Sequence, residues 1–187
     1  MMRKLKIEEG WSLFLDRDGV LNERFPGDYV KKPEDFKFIT GVKQSLTIFA
    51  GIFNPVVVVT NQQGIGRGLM TNAQLDLIHN KMLDEVRESG GRIDAVFFSP
   101  DLKNTRSFSR KPGIGMGLKA RKQFPNINFK KSIMVGDTYS DILFGHRLGM
   151  FTVLVGPDKD AAFQCSRILD FWFPDLISFA DFVQQNQ

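Results

Sequence analysis

Short apolar runs alternate along this chain with longer segments of helical period, and few folds accept such a pattern. The runs are Trp11–Leu15, Val56–Val59, Ile93–Phe98, Ile133–Val135 and Phe151–Val155. Four consecutive valines have no polar side, so Val56–Val59 reads as a strand covered on both faces. Between the runs, helices are expected over Val42–Ala50, Thr71–Glu88, Gly115–Gln123 and Asp141–Leu148, with another near Pro174–Val183. Thr71 is placed to cap the second of these, which closes before Gly90 and Gly91. The pattern predicts an α/β fold with a central parallel sheet flanked by helices. With 187 residues and no linker or repeat, one domain over 1–187 is expected.

Polar residues fall at consistent places in this pattern. Asp16, Thr60 and Asp137 each follow an apolar run directly. Ligands of open parallel sheets bind outside the carboxyl ends of the strands, so these three point to one crevice. In Asp16-Arg17-Asp18-Gly19 the two carboxylates, at i and i+2, lie on one side of an extended chain, and Gly19 permits a sharp turn. One carboxylate can attack phosphorus while the other handles a proton. A turn in which Asp18 caps the backbone competes evenly with that reading when the motif stands alone. A calcium loop is weaker, because Asn22 and Glu23 do not supply its ligand spacing.

Gly136-Asp137-Thr138-Tyr139-Ser140-Asp141 adds carboxylates at another strand end. Asp137 with Asp16 would suit magnesium, and Asp141 would support from behind, or one of the pair caps the next helix. Thr60 and Asn61 offer a hydroxyl and an amide to phosphate oxygens, and Arg110-Lys111 offers cations. The clusters Gly64–Gly68 and Gly113–Gly117 lack both the dinucleotide and the P-loop spacing, so mobile active-site loops are the better reading. His79 and His146 are expected to be satisfied structural histidines, and with the lone Cys165 they cannot assemble a zinc cluster.

The net charge of +4 comes from scattered Lys and Arg rather than a basic run, so no nucleic acid partner is indicated. Met1–Gly10 lacks the apolar core of a secretory signal, and no run is long enough for a membrane span. A cytoplasmic monomer acting on a small phosphorylated metabolite is expected. Most of the 18 phenylalanines should be core.

The order Asp16-x-Asp18-Gly, Thr60-Asn61, Lys111, Gly136-Asp137-x-x-x-Asp141 resembles the four motifs of the haloacid dehalogenase (HAD) superfamily of phosphatases. The resemblance implies a Rossmann-like fold, with Asp16 as nucleophile and Asp18 as acid/base. It further implies that Thr60 and Lys111 hold the phosphate, while Asp16, the Asp18 carbonyl and Asp137 bind Mg2+ and Asp141 stands behind them. Phe14–Asn22, Thr60–Gly68 and Arg110-Lys111-Pro112 are similar to the branch of heptose-1,7-bisphosphate and histidinol-phosphate phosphatases. That branch lacks a large cap domain, and the segment between Leu21 and Val42 is too short for one. Specificity would then rest on loops 22–35, 62–69 and 99–110, with Asn61, Gln62, Arg67 and Arg110 as substrate-binding candidates. Arg67 and Arg110 would suit a second phosphate.

The branch often carries a zinc loop, Cys-Pro-His…Cys-x-Cys-Arg-Lys-Pro. Here Ser99-Pro100-Asp101…Ser107-Phe108-Ser109 replaces every ligand, so no zinc is expected and the loop would be held by packing of Phe108 or be mobile. The implied reaction is hydrolysis through an aspartyl phosphate, with a protonated Asp18 donating to the leaving oxygen. D-glycero-D-manno-heptose-1,7-bisphosphate leads as substrate, and histidinol phosphate or another small monoester follows. A phospho-accepting receiver module is the alternative of another class, although it has no need of Asp18.

Overall fold

A computed structural model describes residues 5–25 and 27–186. The first four residues of the Met1–Gly10 segment, and Pro26 within loop 22–35, therefore lie outside the described residues. Six strands form one sheet: β1 (Ser12–Leu15), β2 (Val56–Asn61), β3 (Ala95–Ser99), β4 (Ser132–Gly136), β5 (Phe151–Val155) and β6 (Phe171–Phe173). They lie in the order β3-β2-β1-β4-β5-β6, and every neighbouring pair is parallel. The helices are α1 (Val42–Ala50), α2 (Gln63–Gly66), α3 (Asn72–Glu88), α4 (Gly115–Gln123), α5 (Tyr139–Leu148), α6 (Lys159–Cys165) and α7 (Leu176–Gln185).

Alternation along the strands sorts their side chains into two cores. Leu13, Leu15, Val56, Val58, Ile133 and Val135 point to one face, where they meet Leu46, Phe49, Met82 and Phe179 of α1, α3 and α7. Phe14, Val57, Val59 and Met134 point to the other, against Met116, Ala120 and Phe144 of α4 and α5. The valine run is fully buried because it feeds both cores. At ~1.5–3 kcal/mol for each such side chain, this burial dominates the stability of the sheet.

β1 pairs with both β2 and β4. The chain winds outward from β1 to β3, then returns across the sheet to β4 and winds the other way. Strand order therefore reverses between β1 and β4, the place where open parallel sheets bind ligands. Between Leu21 and α1 there is only a short excursion, closed by Glu23 N donating to Lys37 O and Ile39 N to Leu21 O. Among the described residues no large cap stands over the sheet.

Three expectations on packing change. Thr60 lies inside β2 rather than beyond it, because the ladder to β3 continues to Asn61↔Ser99. Phe25, Phe108 and Phe163 are exposed, so those three do not belong to the core. His146 is exposed in the last turn of α5, whereas His79 is buried. Among the described residues, no helix is long and apolar enough to cross a membrane.

Candidate active site

The β1–β4 register sets the site. Leu15 is paired with Val135, and Asp16 N donates to Val135 O at 2.9 Å, so the residues leaving these strands emerge side by side. Single oxygens of Asp16, Asp137 and Asp141 all lie within 4.8 Å of one another. Gly19 makes this approach possible. Its φ is +92°, and a Cβ there would stand 2.0 Å from Asp137 Oδ2, so no other residue fits between the two loops.

Lys111 is buried at the centre. Its Nζ donates to Asp16 Oδ1 at 2.7 Å and to Val59 O at 2.7 Å, and it lies 2.6 Å from Asp141 Oδ1. Burial alone would lower the ammonium pKa, but the charges of Asp141 and Asp16 outweigh it and hold the group above its usual value. Asp141 also accepts from Thr138 N at 3.0 Å as the third residue of an α5 capping box. It thus caps the helix and neutralises Lys111 together. Asp16 Oδ1 further accepts from Arg17 N at 2.7 Å, and among the described residues Oδ2 has no hydrogen-bond partner.

Asp18 sits differently. Arg17, wholly buried, grips both its carboxylate oxygens through Nη2 at 2.9 and 3.0 Å. Asn22 Nδ2 and Gln62 Nε2 donate at 3.0 and 2.8 Å. Burial raises the Asp18 pKa, yet the Arg17 charge and these donors together hold it below the ordinary carboxylate range. These contacts therefore favour the Asp18 carboxylate over its protonated form. The other side of Arg17 meets His79 Nε2 at 3.2 Å; burial, and then the arginine charge, drive that imidazole down to about 3. His79 is neutral and accepts from Arg17, the satisfied structural role expected of it.

Each remaining candidate has a definite place. Thr60 lines the same cleft and receives Gln62 Nε2 at 2.8 Å. Gln62 is buried, so its amide ties Thr60 to Asp18 rather than facing the cleft. Asn61 brackets the Lys111 backbone, accepting from its N–H at 2.9 Å and donating to its carbonyl at 3.2 Å. Arg110 lines the cleft, whose volume is about 580 Å³. Arg67 is exposed with its guanidinium 6.0 Å from the centre of the Tyr29 ring, one residue removed from that wall.

Two features escape sequence reasoning. Arg24 spans the proposed metal ligands, with Nε 3.1 Å from the Asp18 carbonyl and Nη2 2.7 Å from Asp137 Oδ1. Nothing in a lone arginine of the 22–35 loop signals this. Lys103 also joins the cleft wall, a position carried by no motif. The oxygens that Arg24 bridges, with Asp16 beside them, are hard donors of the kind magnesium takes. A cation already standing on them shows that the cradle attracts positive charge, so the residues fit the ion.

Burial, followed by the Asp141 and Asp16 charges, pushes Asp137 up to about 8, and burial pushes Asp16 up to about 6 against the opposing pull of Lys111. Both groups ionise near 3.8 when solvated. Between those values the folded state holds protons that the unfolded chain has released, so stability falls as pH rises. In chelator, the melting temperature is expected to decline from about pH 5 to about pH 8, and magnesium should flatten the slope. Asp18 works oppositely and only on the acid side, losing its contribution below about pH 4. Melting curves with EDTA and with Mg2+ across this range check the expectation; a flat EDTA profile would refute it.

Comparison with known proteins agrees with this geometry. A HAD-hydrolase-like family model matches residues 108–175. The D-glycero-alpha-D-manno-heptose-1,7-bisphosphate 7-phosphatase of Mycobacterium bovis is 36% identical over 170 residues, covering 91% of this chain and 90% of that protein. The enzyme of the same name from Campylobacter jejuni is 36% identical over 149 residues, 79% of this chain and 84% of its own. The crystal structure of D,D-heptose 1,7-bisphosphate phosphatase from B. bronchiseptica, complexed with magnesium and phosphate, superposes with a TM-score of 0.86 at 28% identity. It covers 95% of this chain and 99% of that one. The receiver reading falls away, since named phosphatases match nearly end to end, and the chain belongs to the same family of HAD-type phosphatases.

Proposed function

We propose that the chain removes the 7-phosphate of D-glycero-D-manno-heptose-1,7-bisphosphate through an aspartyl phosphate on Asp16. The observation that carries the reading is the environment of Asp16: Oδ1 is anchored by Lys111 and Arg17 N, while the side chain borders the cleft. The anchored oxygen fixes the direction of the other, as in-line attack on phosphorus requires.

Bound at Asp16, Asp137 and the Asp18 carbonyl, Mg2+ would offset the repulsion between a carboxylate and a phosphate dianion. Lys111 Nζ, 2.7 Å from Asp16 Oδ1, and the Thr60 hydroxyl on the cleft wall would take up charge on the equatorial oxygens. Asp18 starts ionised. A phosphate dianion brought beside it disfavours that charge and raises its pKa, so it takes a proton as substrate settles. It passes this proton to the leaving sugar oxygen as the P–O bond breaks and Asp16 Oδ2 bonds to phosphorus. Once ionised again, Asp18 takes a proton from water, which attacks phosphorus and frees Asp16. Gln62 and Arg17 keep Asp18 oriented through both halves. Arg110 and Lys103, on the cleft wall, supply charge for a second phosphate, and this favours a bisphosphate over a monoester. No zinc is expected, since serines and an aspartate occupy the loop positions.

A panel of sugar phosphates assayed with Mg2+ tests the assignment. The heptose bisphosphate should give the highest kcat/KM, by roughly 10-fold or more over histidinol phosphate, since one well-made ionic hydrogen bond is worth that ratio. Equal or better turnover of histidinol phosphate would overturn the substrate.

A further inference from the structure

The loop between β3 and α4 carries no cysteine or histidine, and Phe108, the apolar residue suited to pin it, is 63% exposed. It is nonetheless closed on itself around one carboxylate. Asp101 Oδ2 accepts from Ser99 Oγ at 2.9 Å and also from Ser107 Oγ, tying the two ends of the loop across residues 102–106. Ser107 Oγ in turn accepts from the backbone N–H of Ser109 and of Arg110, each at 3.0 Å. The Arg110 guanidinium reaches back, with Nη1 donating to the Asp101 carbonyl at 2.9 Å. Arg110 is thus gripped at both ends by one cluster, its main chain through Ser107 and its head through Asp101. The next residue, Lys111, is fastened separately by the Asn61 amide. Two neighbours in sequence therefore have independent anchors.

We propose that Asp101 is a positioning residue that sets the Arg110 guanidinium for the non-reacting phosphate of a bisphosphate substrate, without touching substrate itself. The inference rests on the reading that Arg110 meets this second phosphate. A flexible arginine loses rotamer entropy when it clamps an anion, and holding it in place beforehand removes that cost from binding. The clasp should consequently affect KM for a bisphosphate and not the chemistry at Asp16, whose partners lie on other anchors.

The test compares Asp101→Ala, Asp101→Asn, Arg110→Ala and the Asp101→Ala/Arg110→Ala pair on the heptose bisphosphate and on p-nitrophenyl phosphate, which has no second phosphate. Asp101→Ala should raise KM for the bisphosphate by roughly tenfold with kcat within about twofold, and leave the aryl ester unchanged. Asp101→Asn keeps an acceptor for both serine hydroxyls and should recover most of the loss. The double variant should be no worse than Arg110→Ala alone, since the aspartate acts only through the arginine. If Asp101→Ala does not fold, Ser107→Ala removes the hold on the Arg110 main chain and should show the same KM rise. Additive losses, an unchanged KM, or an equal loss on the aryl ester would overturn the proposal. Should Arg110→Ala itself leave bisphosphate KM unchanged, the second-phosphate reading fails instead, which separates the two.

Discussion

Asp16→Asn should abolish phosphate release while leaving a folded protein at least as stable as the parent. The amide keeps the volume of the side chain and a carbonyl oxygen for Arg17 N and Lys111 Nζ, and Lys111 retains Asp141 and Val59 O. The buried charge disappears, and with it the desolvation that pushes Asp16 up to about 6. An amide does not attack phosphorus, so kcat should fall by on the order of 10⁴-fold or more, as removal of a nucleophile does elsewhere. Near pH 8 without magnesium the variant should melt at or above the parent temperature. Turnover at even a hundredth of the parent rate, shown not to come from contaminating phosphatase, would remove Asp16 from the mechanism.

Lys111→Met carries the largest expected cost in stability. The ammonium is fully buried between Asp16 and Asp141 and uses its hydrogens on these two carboxylates and the Val59 carbonyl. Methionine fills a similar volume but leaves two buried carboxylates facing each other uncompensated. Breaking a buried pair in this way costs ~3–5 kcal/mol, or roughly 6–20 °C in melting temperature for a chain of this size. The penalty should shrink toward pH 5, where Asp16 can take up a proton, and adding Asp141→Asn should recover part of it. Activity should be lost as well, since Asp16 Oδ1 loses the cation that anchors it. A melting temperature within about 2 °C of the parent would show that the lysine is not the counterion of the cluster.

How far this arrangement could be read beforehand depends on the range of the forces behind each part. α1 and α4 run over the residues their periodicity predicts, and α3 begins after the Thr71 cap, because local spacing and capping decide them. β6 and α6 were not anticipated. Phe171–Phe173 is a three-residue edge strand before a proline, and Lys159–Cys165 is a seven-residue helix, both too short for periodicity to register. The convergence of Asp16, Asp137 and Lys111 was legible because each lies beside a strand end or a motif whose place in a parallel sheet is general. The state of Asp18 was not, because Arg17 and Asn22 of its own turn and Gln62 from beyond β2 converge on it. The Asp101 clasp was equally hidden, since an aspartate among serines looks like any polar loop until its two ends meet.

Arg24 carries a consequence for how the protein becomes active. At the seat proposed for the ion its guanidinium already rests on the Asp18 carbonyl and Asp137 Oδ1, so under that proposal the ion would replace one cation with another instead of filling an open seat. On that reading, loading would depend on how readily this half-exposed side chain swings away from Asp137. Six residues separate Arg24 from Asp18 and Arg24 lines the cleft that holds Asp16, so a displaced guanidinium would stay close enough to attract a dianion.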